Sequence, residues 1–388
     1  MEVSRETSVI IVTHNHSRYI VNCLKTVISN MPLEIIIVDN NSSDDTLSLI
    51  KKEFSQVEII DLNENRENGE FEGNLLRDKK FSLGYRDSKN DPYGTLDDRF
   101  HHLEASHDKT EPRIRLIKLL ENRGYSAGNN LGIRYAKGKY IVVLNPDTLV
   151  EEHWLEELVK PLERGEKVIT TPKILLYDGS AINTCGNINH FTGLTFTRGL
   201  NEDPAKYNIL EEVSGFSGCC FAIKKSDFEE LGGFDESFFL YNEDSELSWR
   251  AHLKGFRIFY VPRSIVRHDY KLVVSPEKIY YLERNRYVIL RKYFSLKDFL
   301  MLSPSLLMAE LLTFGYAIRS GWKGIKSKTK GLEEGITAVI IRENGNRSQL
   351  IQSLCSTIPL DQLTFGESDR KIKLLINRIF NWNYKVAT

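Results

Sequence analysis

Two acidic sites far apart in the chain have residue types that suit group transfer. Glu243 and Asp244 lie in FFLYNEDSELSWR, where a loop turns into a helix, and the positive end of a helix dipole favours an ionised carboxylate there. Asp147, in LNPDT, directly follows an apolar strand. Hard cations such as Mg²⁺ or Mn²⁺ prefer oxygen ligands. These residues predict a catalytic base at Asp244 or Glu243 and a metal ligand at Asp147, as transfer from a nucleotide carrier requires.

The elements that must position these acids begin near the amino terminus. Residues 9–12 and 35–38 are short β-branched runs, which are typical of buried parallel strands. Ser43 can cap a following helix. Strands that alternate with helices predict an open parallel sheet, whose ligands collect beyond the carboxyl ends of the strands. The polar residues at those ends are Thr13, His14, Asn15, Asp39 and Asn40. We predict nucleotide contacts from Thr13, Asn15 and Asp39.

A second polar segment, ENRGYSAGNNLGIRYAKGKYIVVLNPDT, combines glycines with side-chain donors and acceptors. Gly124, Gly128 and Gly132 allow a close approach to backbone or ligand. The strand at 140–144 then delivers the residues that precede Asp147. The predicted nucleotide contacts of this segment are Asn122, Arg123, Asn129 and Asn145.

Composition narrows the function classes. The 388 residues carry a formal net charge of −1, which argues against a general nucleic-acid binder. The five cysteines form neither a disulfide framework nor a paired zinc pattern, and the amino terminus shows no signal-peptide core. We therefore expect a reducing, cytoplasmic setting.

Residues 63–112 interrupt the pattern, since they are rich in Asn, Asp, Glu, Lys and Gly and far longer than a usual connection. They predict an inserted, flexible segment. His101, His102 and His107 lie within it. They are either metal ligands or part of a solvated loop, and their spacing favours the loop.

Four motifs together resemble the inverting glycosyltransferases of family two: TSVIIVTHN, IIIVDNNSSDDT, the glycine-rich segment above, and GFSGCCFAIKKSDFEELGGFDESFFLYNEDSELSWR. The resemblance covers residues 7–62 and 113–270. It implies an α/β fold of the GT-A type, an open twisted, mostly parallel sheet flanked by helices. It also implies a nucleotide-diphospho-sugar donor whose base or ribose contacts Asp39, a metal at Asp147 and a general base at Asp244. Glu243 could instead be the base, or could bind acceptor hydroxyls.

The resemblance extends to His268, in IVRHDY, which matches a family histidine near the metal or diphosphate. A lone histidine could equally be a surface residue. The metal motif here is Asn145-Pro146-Asp147, whereas many relatives have Asp-x-Asp. Residues 173–212, with polar positions that include Asn183 and Asn187, should form hairpins and loops on the acceptor side.

The carboxyl-terminal part has a different character. Residues 299–318 are mostly apolar but contain Pro304 and Glu310, which makes a simple membrane span costly. The basic residues that follow are Arg319, Lys323, Lys326, Lys328 and Lys330. This pattern favours a monotopic or re-entrant helix pair whose lysines face anionic lipid. The alternative is a soluble helix pair packed on the catalytic domain. YYLERNR, at 280–286, also resembles a segment of rhamnosyltransferase-type members.

The predicted domains are 1–270 (catalytic), 271–330 (membrane-associated helices) and 331–388 (a helical tail). The predicted function is inverting, non-processive transfer from a UDP- or dTDP-sugar to a glycan acceptor, lipid-linked, at the cytoplasmic face of the cell membrane. No Gly-x-Gly-x-x-Gly follows the first strand, which excludes a nicotinamide dehydrogenase. The alternative is a catalytically silent, membrane-associated protein that binds glycans or nucleotide sugars.

Overall fold

In the computed structural model of the protein, the described residues are 3–61, 111–164, 167–270, 274–362 and 366–388. The predicted insertion at 63–112 lies outside them except for its last two residues. His101, His102 and His107 also lie outside them, so the metal alternative for these histidines stays a prediction.

The described residues form one eleven-stranded sheet and a separate two-stranded hairpin. The strands are β1 Thr7–Thr13, β2 Glu34–Asp39, β3 Glu58–Asp61, β4 Arg113–Lys118, β5 Tyr140–Leu144, β6 Thr148–Val150, β7 Val168–Leu176, β8 Ile182–Thr184, β9 Asn187–Asn189, β10 Thr195–Thr197, β11 Glu211–Glu212, β12 Cys220–Lys224 and β13 Arg257–His268. The main path runs β11-β13-β7-β12-β5-β1-β2-β4-β3, and β9 with β10 forms the hairpin.

Helices cover both faces of this sheet and continue beyond it. They are α1 Ile20–Ser29, α2 Thr46–Glu53, α3 Gly124–Tyr135, α4 Trp154–Val159, α5 Lys225–Leu231, α6 Glu243–Leu253, α7 Pro276–Tyr293, α8 Leu296–Met301, α9 Ser303–Arg319, α10 Gly321–Thr337, α11 Arg347–Ser353 and α12 Glu367–Ala387. The predicted helix pair after residue 299 is present as α9 and α10.

The five adjacent strands β5, β1, β2, β4 and β3 are parallel to one another, as the β-branched runs predict. Val9 and Ile11 of β1 pack into the core on one face, and Ile10 packs into the core on the other. A strand buried on both faces needs an unbroken apolar run. Beyond β5, β12 is antiparallel to both of its neighbours, β5 and β7, which local pattern did not predict.

Two glycines of α3 bring that helix close to β1. A Cβ at Gly132 would lie 2.5 Å from Cγ2 of Ile10, and one at Gly128 would lie 2.8 Å from Cγ1 of Val12. A close approach is therefore observed, but it is to side chains of a strand and not to backbone or a ligand. The start of α3 is thereby fixed at the carboxyl ends of β1 and β2.

The carboxyl-terminal helices pack against the sheet domain. Trp249 of α6 shares a buried apolar cluster with Val288 and Tyr293 of α7 and with Phe380 of α12. The predicted boundaries at 270 and 330 stay predictions, but residues on both sides of 270 share one core. Among the described helices, none combines the length and the apolar character that crossing a membrane requires.

The prediction that Lys328 faces lipid is wrong. Its side chain is fully buried, and its Nζ lies 2.7 Å from Oε1 of Glu283 and 3.1 Å from Oε2 of Glu310. Arg286 pairs with both of these carboxylates. Glu310, the charge that interrupts the apolar stretch, is thus neutralised between α7, α9 and α10.

Candidate active site

The predicted acids stand at the start of α6, after a turn in an unusual backbone conformation. Tyr241 and Asn242 have φ angles of 67° and 64°, and non-glycine residues rarely adopt this left-handed region. Asn285 of α7 donates hydrogen bonds to the carbonyl oxygens of Leu240 and Tyr241 at 3.0 and 2.7 Å. A residue of the carboxyl-terminal part therefore stabilises the turn that presents Glu243 and its neighbour.

Three donors orient the Asp244 carboxylate. Oδ2 accepts from Nδ2 of Asn187 at 2.8 Å and from the backbone N–H of Gly218 at 2.9 Å, and Oδ1 accepts from the N–H of Ser245 at 2.8 Å. Burial raises the pKa of this carboxyl above its usual range, although these donors counteract the effect. The result is a fixed carboxylate with increased basicity.

Glu243, the adjacent acid, is buried but its carboxylate is less satisfied. Its Oε2 has no hydrogen-bond partner among the described residues. Burial, and then the nearby charge of Asp244, raises the pKa of Glu243 to about 8. Burial, followed by the charges of Glu243 and Asp244, also raises the pKa of Tyr125. The Tyr125 hydroxyl donates a hydrogen bond to the carbonyl of Gly218. A buried polar atom without a partner is costly, so Oε2 is suited to contact a ligand.

The predicted metal residues are brought together at the ends of two strands. Asp147 follows β5, His268 ends β13, and Oδ1 of the aspartate lies 3.4 Å from Nε2 of the histidine. Nδ1 of His268 contacts Oδ1 of Asn183 at 2.9 Å, which fixes the ring. The lone-histidine alternative is therefore excluded: His268 is a buried partner of Asp147.

The electrostatics of this pair keep Asp147 ionised, and a cation would bind there in place of the proton that His268 carries. Burial alone would raise the pKa of Asp147, but His268 and His16 lower it below its usual range. Burial alone would lower the pKa of His268, but Cys219 and Asp147 raise it well above its usual range. Oδ1 of Asp147 is buried, and its ion-pair contact with Nε2 of His268 lacks hydrogen-bond geometry. An oxygen and an imidazole nitrogen suit a divalent cation, so the pair fits the predicted ion, although no group of three or more such ligands occurs within the described ranges.

One short segment joins the base to the metal pair. The N–H of Gly218 binds Asp244, and the next residue, Cys219, accepts a 2.9 Å hydrogen bond from the N–H of Asn145 while its side chain contacts His268. Asp244 is therefore held at Gly218, and the next residue interacts with Asn145 and His268, which flank Asp147 in the chain and in space.

The predicted nucleotide residues fall into two groups. Thr13 and Asp39 are paired at the ends of β1 and β2, and both are fully buried. Oδ2 of Asp39 accepts from the N–H of Ser42 at 3.1 Å, whereas Oδ1 has no partner among the described atoms. The helix-cap alternative for Asp39 is not observed, because α2 begins only at Thr46, with Asp45 in the cap position. The free oxygen points to a ligand role for Asp39.

The other residues predicted to contact the nucleotide bind mostly to the protein itself, with Oδ1 of Asn129 as an exception. Oδ1 of Asn15 accepts from the N–H groups of residues 43 and 44, which joins the loops after β1 and β2. Oδ1 of Asn122 accepts from the N–H of Gly124 at 2.9 Å. Asn129 is fully buried in α3; its Nδ2 donates to the carbonyl of Tyr125, whereas its Oδ1 has no partner among the described atoms. The N–H of Arg123 donates to Oδ1 of Asn40 at 2.9 Å. Direct nucleotide contact by these residues stays a prediction.

Several site residues were absent from the predicted set, namely Tyr125, Asn187, Cys219 and Asn285. The sequence places Asn183 and Asn187 only on the acceptor side, whereas in the fold Asn183 lies beside His268 and Asn187 lies beside Asp244. Asn285 lies in YYLERNR, so the resemblance of that segment was a signal for it.

Comparison with known proteins decides the family. Residues 8–70 and 95–232, together 201 of 388, match the family described as glycosyl transferase family 2. The chain belongs to glycosyltransferase family 2. Residues 200–273 of this family 2 chain also match a family described as the N-terminal domain of galactosyltransferase.

Individual relatives agree with this assignment. The family 2 chain is 33% identical over 162 residues to the low-salt glycan biosynthesis hexosyltransferase Agl10 of Haloferax volcanii. The aligned residues make up 40% of this chain and 50% of that protein. It is 26% identical over 196 residues to the rhamnosyltransferase WbbL of Escherichia coli, 45% of this chain and 74% of the relative. The chain thus spans only half the length of the first relative.

The solved structure of GalNAc-T7 with UDP, GalNAc and Mn²⁺ has a TM-score of 0.52 against this chain at 17% identity. The match covers 86% of this chain and 56% of the other. The likeness confirms the predicted GT-A type fold of helices around a central sheet.

Proposed function

We propose that the chain is an inverting glycosyltransferase that moves a sugar from a UDP- or dTDP-linked donor to a hydroxyl of a glycan acceptor. The observation that carries this proposal is the pair of interactions at Gly218 and Cys219: the N–H of Gly218 binds Asp244, and Cys219 interacts with His268, the partner of Asp147. An inverting displacement needs a base on one face of the sugar and charge neutralisation on the opposite face.

In the proposed reaction the acceptor oxygen attacks the anomeric carbon of the donor sugar. The bond from that carbon to the diphosphate oxygen breaks, and its electron pair leaves with the diphosphate. The hydroxyl proton passes to the Asp244 carboxylate. Because burial raises the pKa of Asp244, this carboxylate accepts a proton more readily than an exposed one. The three hydrogen-bond donors hold the carboxylate in one orientation.

Asp147 and His268 would hold the cation, Mg²⁺ or Mn²⁺. When bound, such an ion neutralises charge on the departing diphosphate. The GalNAc-T7 structure contains UDP and Mn²⁺, which supports the same classes of ligand here. Asp39, with its unpartnered Oδ1, would receive a hydroxyl or N–H of the nucleoside. Glu243, with its unpartnered Oε2, would contact the acceptor hydroxyls.

The acceptor and the place of reaction belong to this proposal as well. We propose a lipid-linked glycan as the acceptor and the cytoplasmic face of the cell membrane as the location. The rhamnosyltransferase WbbL and the glycan biosynthesis hexosyltransferase Agl10 support a glycan acceptor. The five cysteines of the chain are all free thiols, which agrees with a reducing compartment.

A panel of nucleotide sugars tests the donor class. Thermal unfolding is measured with UDP-, dTDP- and GDP-sugars, each with Mn²⁺ and with EDTA, because a ligand at 100 times its Kd stabilises the fold by about 2.7 kcal/mol. We expect a shift with a UDP- or dTDP-sugar that requires Mn²⁺. Nucleotide release is then measured with the donors that bind. Binding without any release would favour the catalytically silent alternative, and no binding by any donor would contradict the proposal.

A further inference from the structure

The exposed apolar side chains of this protein are concentrated in its carboxyl-terminal helices. Of the 21 large apolar residues that are exposed within the described ranges, 14 lie after residue 295. They are Leu296, Leu300, Leu307, Leu311, Ile318, Trp322, Ile336, Val339, Ile341, Ile372, Leu374, Leu375, Trp382 and Val386. Single exposed apolar residues are ordinary, but concentrated ones mark interaction surfaces.

Helix α12 shows the pattern most clearly, because it has two apolar faces. Ile376 and Phe380 are buried against the rest of the protein. Ile372, Leu375 and Trp382 are 54%, 59% and 58% exposed. With the half-exposed Ile379 and the exposed Val386, these three recur at intervals of three and four residues, so they form one stripe along the helix. The fold leaves this stripe unpartnered among the described residues.

Neighbouring helices carry similar rows. Leu307, Leu311 and Ile318 lie along α9, and Leu296 and Leu300 lie one turn apart on α8. These helices adjoin α12, since the Asn383 side chain donates to the carbonyl of Met301 and accepts from the N–H of Ser305. Three helices that pack on one another, α8, α9 and α12, therefore expose apolar rows in one region of the molecule.

A basic row stands beside this region, on α10. Lys323, Lys326 and Lys330 are exposed and recur at intervals of three and four residues, which places them on one face. Lys330 also lies 3.7 Å from Glu334. Trp322, at the start of the same helix, is 77% exposed. Residues 296–388 contain thirteen Lys and Arg against eight Asp and Glu, although the whole chain has a net charge of −1.

We propose that the exposed rows of α8, α9 and α12, together with the lysine row of α10, form a face that docks on an anionic lipid surface. A protein face binds such a surface when its apolar rows insert into the head-group region and its lysines contact anionic head groups. Exposed tryptophans favour the same interface. A second copy of the chain fits less well, because a two-fold interface pairs the same patch with itself and would bring the lysine rows together. This inference rests on the membrane location within the proposed function and names the surface that would bind there, but it does not depend on the proposed reaction.

Vesicle sedimentation of the full chain tests the proposal without any sugar donor. We expect binding to vesicles of phosphatidylcholine with phosphatidylglycerol, and much weaker binding to phosphatidylcholine alone. Replacing Lys323, Lys326 and Lys330 together by Glu should lower the partition coefficient at least about 100-fold, since each lysine near an anionic surface contributes about 1 kcal/mol. Replacing Leu375 and Trp382 by Ser should lower it on both kinds of vesicle.

A matched control uses Ile209 and Leu210, which are 71% and 50% exposed outside the carboxyl-terminal helices. Their replacement by Ser should leave vesicle binding unchanged. Circular dichroism checks that each variant is folded. The proposal is overturned if the folded parent protein does not bind anionic vesicles, or if the control lowers binding as much as the α12 variant. It is also overturned if the α12 substitutions instead abolish a dimer seen by light scattering.

Discussion

Two buried glutamates on α6, three residues apart, should respond in opposite directions to the same substitution. Glu243 has an unpartnered Oε2, and burial with the Asp244 charge raises its pKa to about 8. Glu246 is fully buried between Arg250 and Lys292, at 2.5 and 2.6 Å. Burial alone would raise the pKa of Glu246, but those two cations lower it below its usual range. At neutral pH the Glu243 carboxyl therefore lowers the free energy of unfolding, whereas the Glu246 carboxylate raises it.

The size of the first effect follows from proton linkage. Between pH 4.5, the usual pKa, and about pH 8, folded Glu243 keeps a proton that the unfolded chain releases. The free energy of unfolding therefore falls as pH rises through this window, by about 3 kcal/mol at pH 7 and about 5 kcal/mol at pH 9. Glu243→Gln removes this loss, so the variant should be roughly 2 to 3 kcal/mol more stable than the parent at pH 7. The difference should vanish below pH 4.5.

Glu246→Gln should have the opposite sign. A lowered carboxyl pKa stabilises the fold above the unfolded pKa, and this stabilisation is lost as pH falls through the folded pKa. Removing the charge leaves Arg250 and Lys292 buried, with Asp235 as the one remaining carboxylate paired with either of them among the described residues. Breaking a buried ion pair from one side costs about 3 to 5 kcal/mol.

Denaturant unfolding of the parent and both variants at pH 5, 7 and 9, followed by tryptophan fluorescence, measures these differences. The reasoning is refuted if Glu243→Gln destabilises the protein at pH 7, or if its gain does not grow with pH. It is also refuted if the two variants change the unfolding free energy in the same direction.

Further outcomes concern the metal pair, the turn before α6 and the packing of α3. Asp147→Asn should abolish the Mn²⁺-dependent part of nucleotide binding, measured by titration calorimetry, and leave the Mn²⁺-independent part. Asn285→Ala removes two hydrogen bonds from the turn before α6, at about 1 kcal/mol each, and should lower kcat more than it raises the donor KM. Gly132→Ala places a Cβ 2.5 Å from Ile10 and should destabilise the fold by about 1 to 3 kcal/mol in denaturant unfolding. The control Gly315→Ala, with nothing within 4 Å of the new Cβ, should stabilise it by about 0.5 to 1 kcal/mol.

Local patterns in the sequence predicted the parts of the fold that depend on local physics. The β-branched runs of β1, β2 and β5 are buried on both faces, as such runs require. Helix starts were less predictable. Ser43 was expected to cap the helix after β2, but α2 begins at Thr46, whose N–H is instead satisfied by Oδ1 of Asp44. Several polar residues in a row can each supply such an oxygen, so composition alone does not select one.

Most of the site residues that the sequence did not predict are brought to the site by tertiary contacts. The acids at 147 and 244 were predicted from their settings, but Asn187 and Asn285 reach the site only because a hairpin and α7 fold back over it. The burial of the Lys328 side chain could have been predicted from the glycines of α10. Gly324, Gly331 and Gly335 share its face of α10 at helical spacing, and a Cβ at Gly331 or Gly335 would lie 2.6 Å from a backbone oxygen of α7. A glycine row of this kind indicates a helix face pressed against another helix.

Comparing donor binding with turnover in Asp244→Asn tests the central claim, that Asp244 takes the acceptor proton on the face opposite the Asp147 site. The account predicts that Mn²⁺-dependent binding of the nucleotide sugar stays within a few-fold of the parent while transfer falls by about 10² to 10⁴. Parental turnover in a variant that still binds donor would contradict the account, and so would loss of donor binding together with turnover.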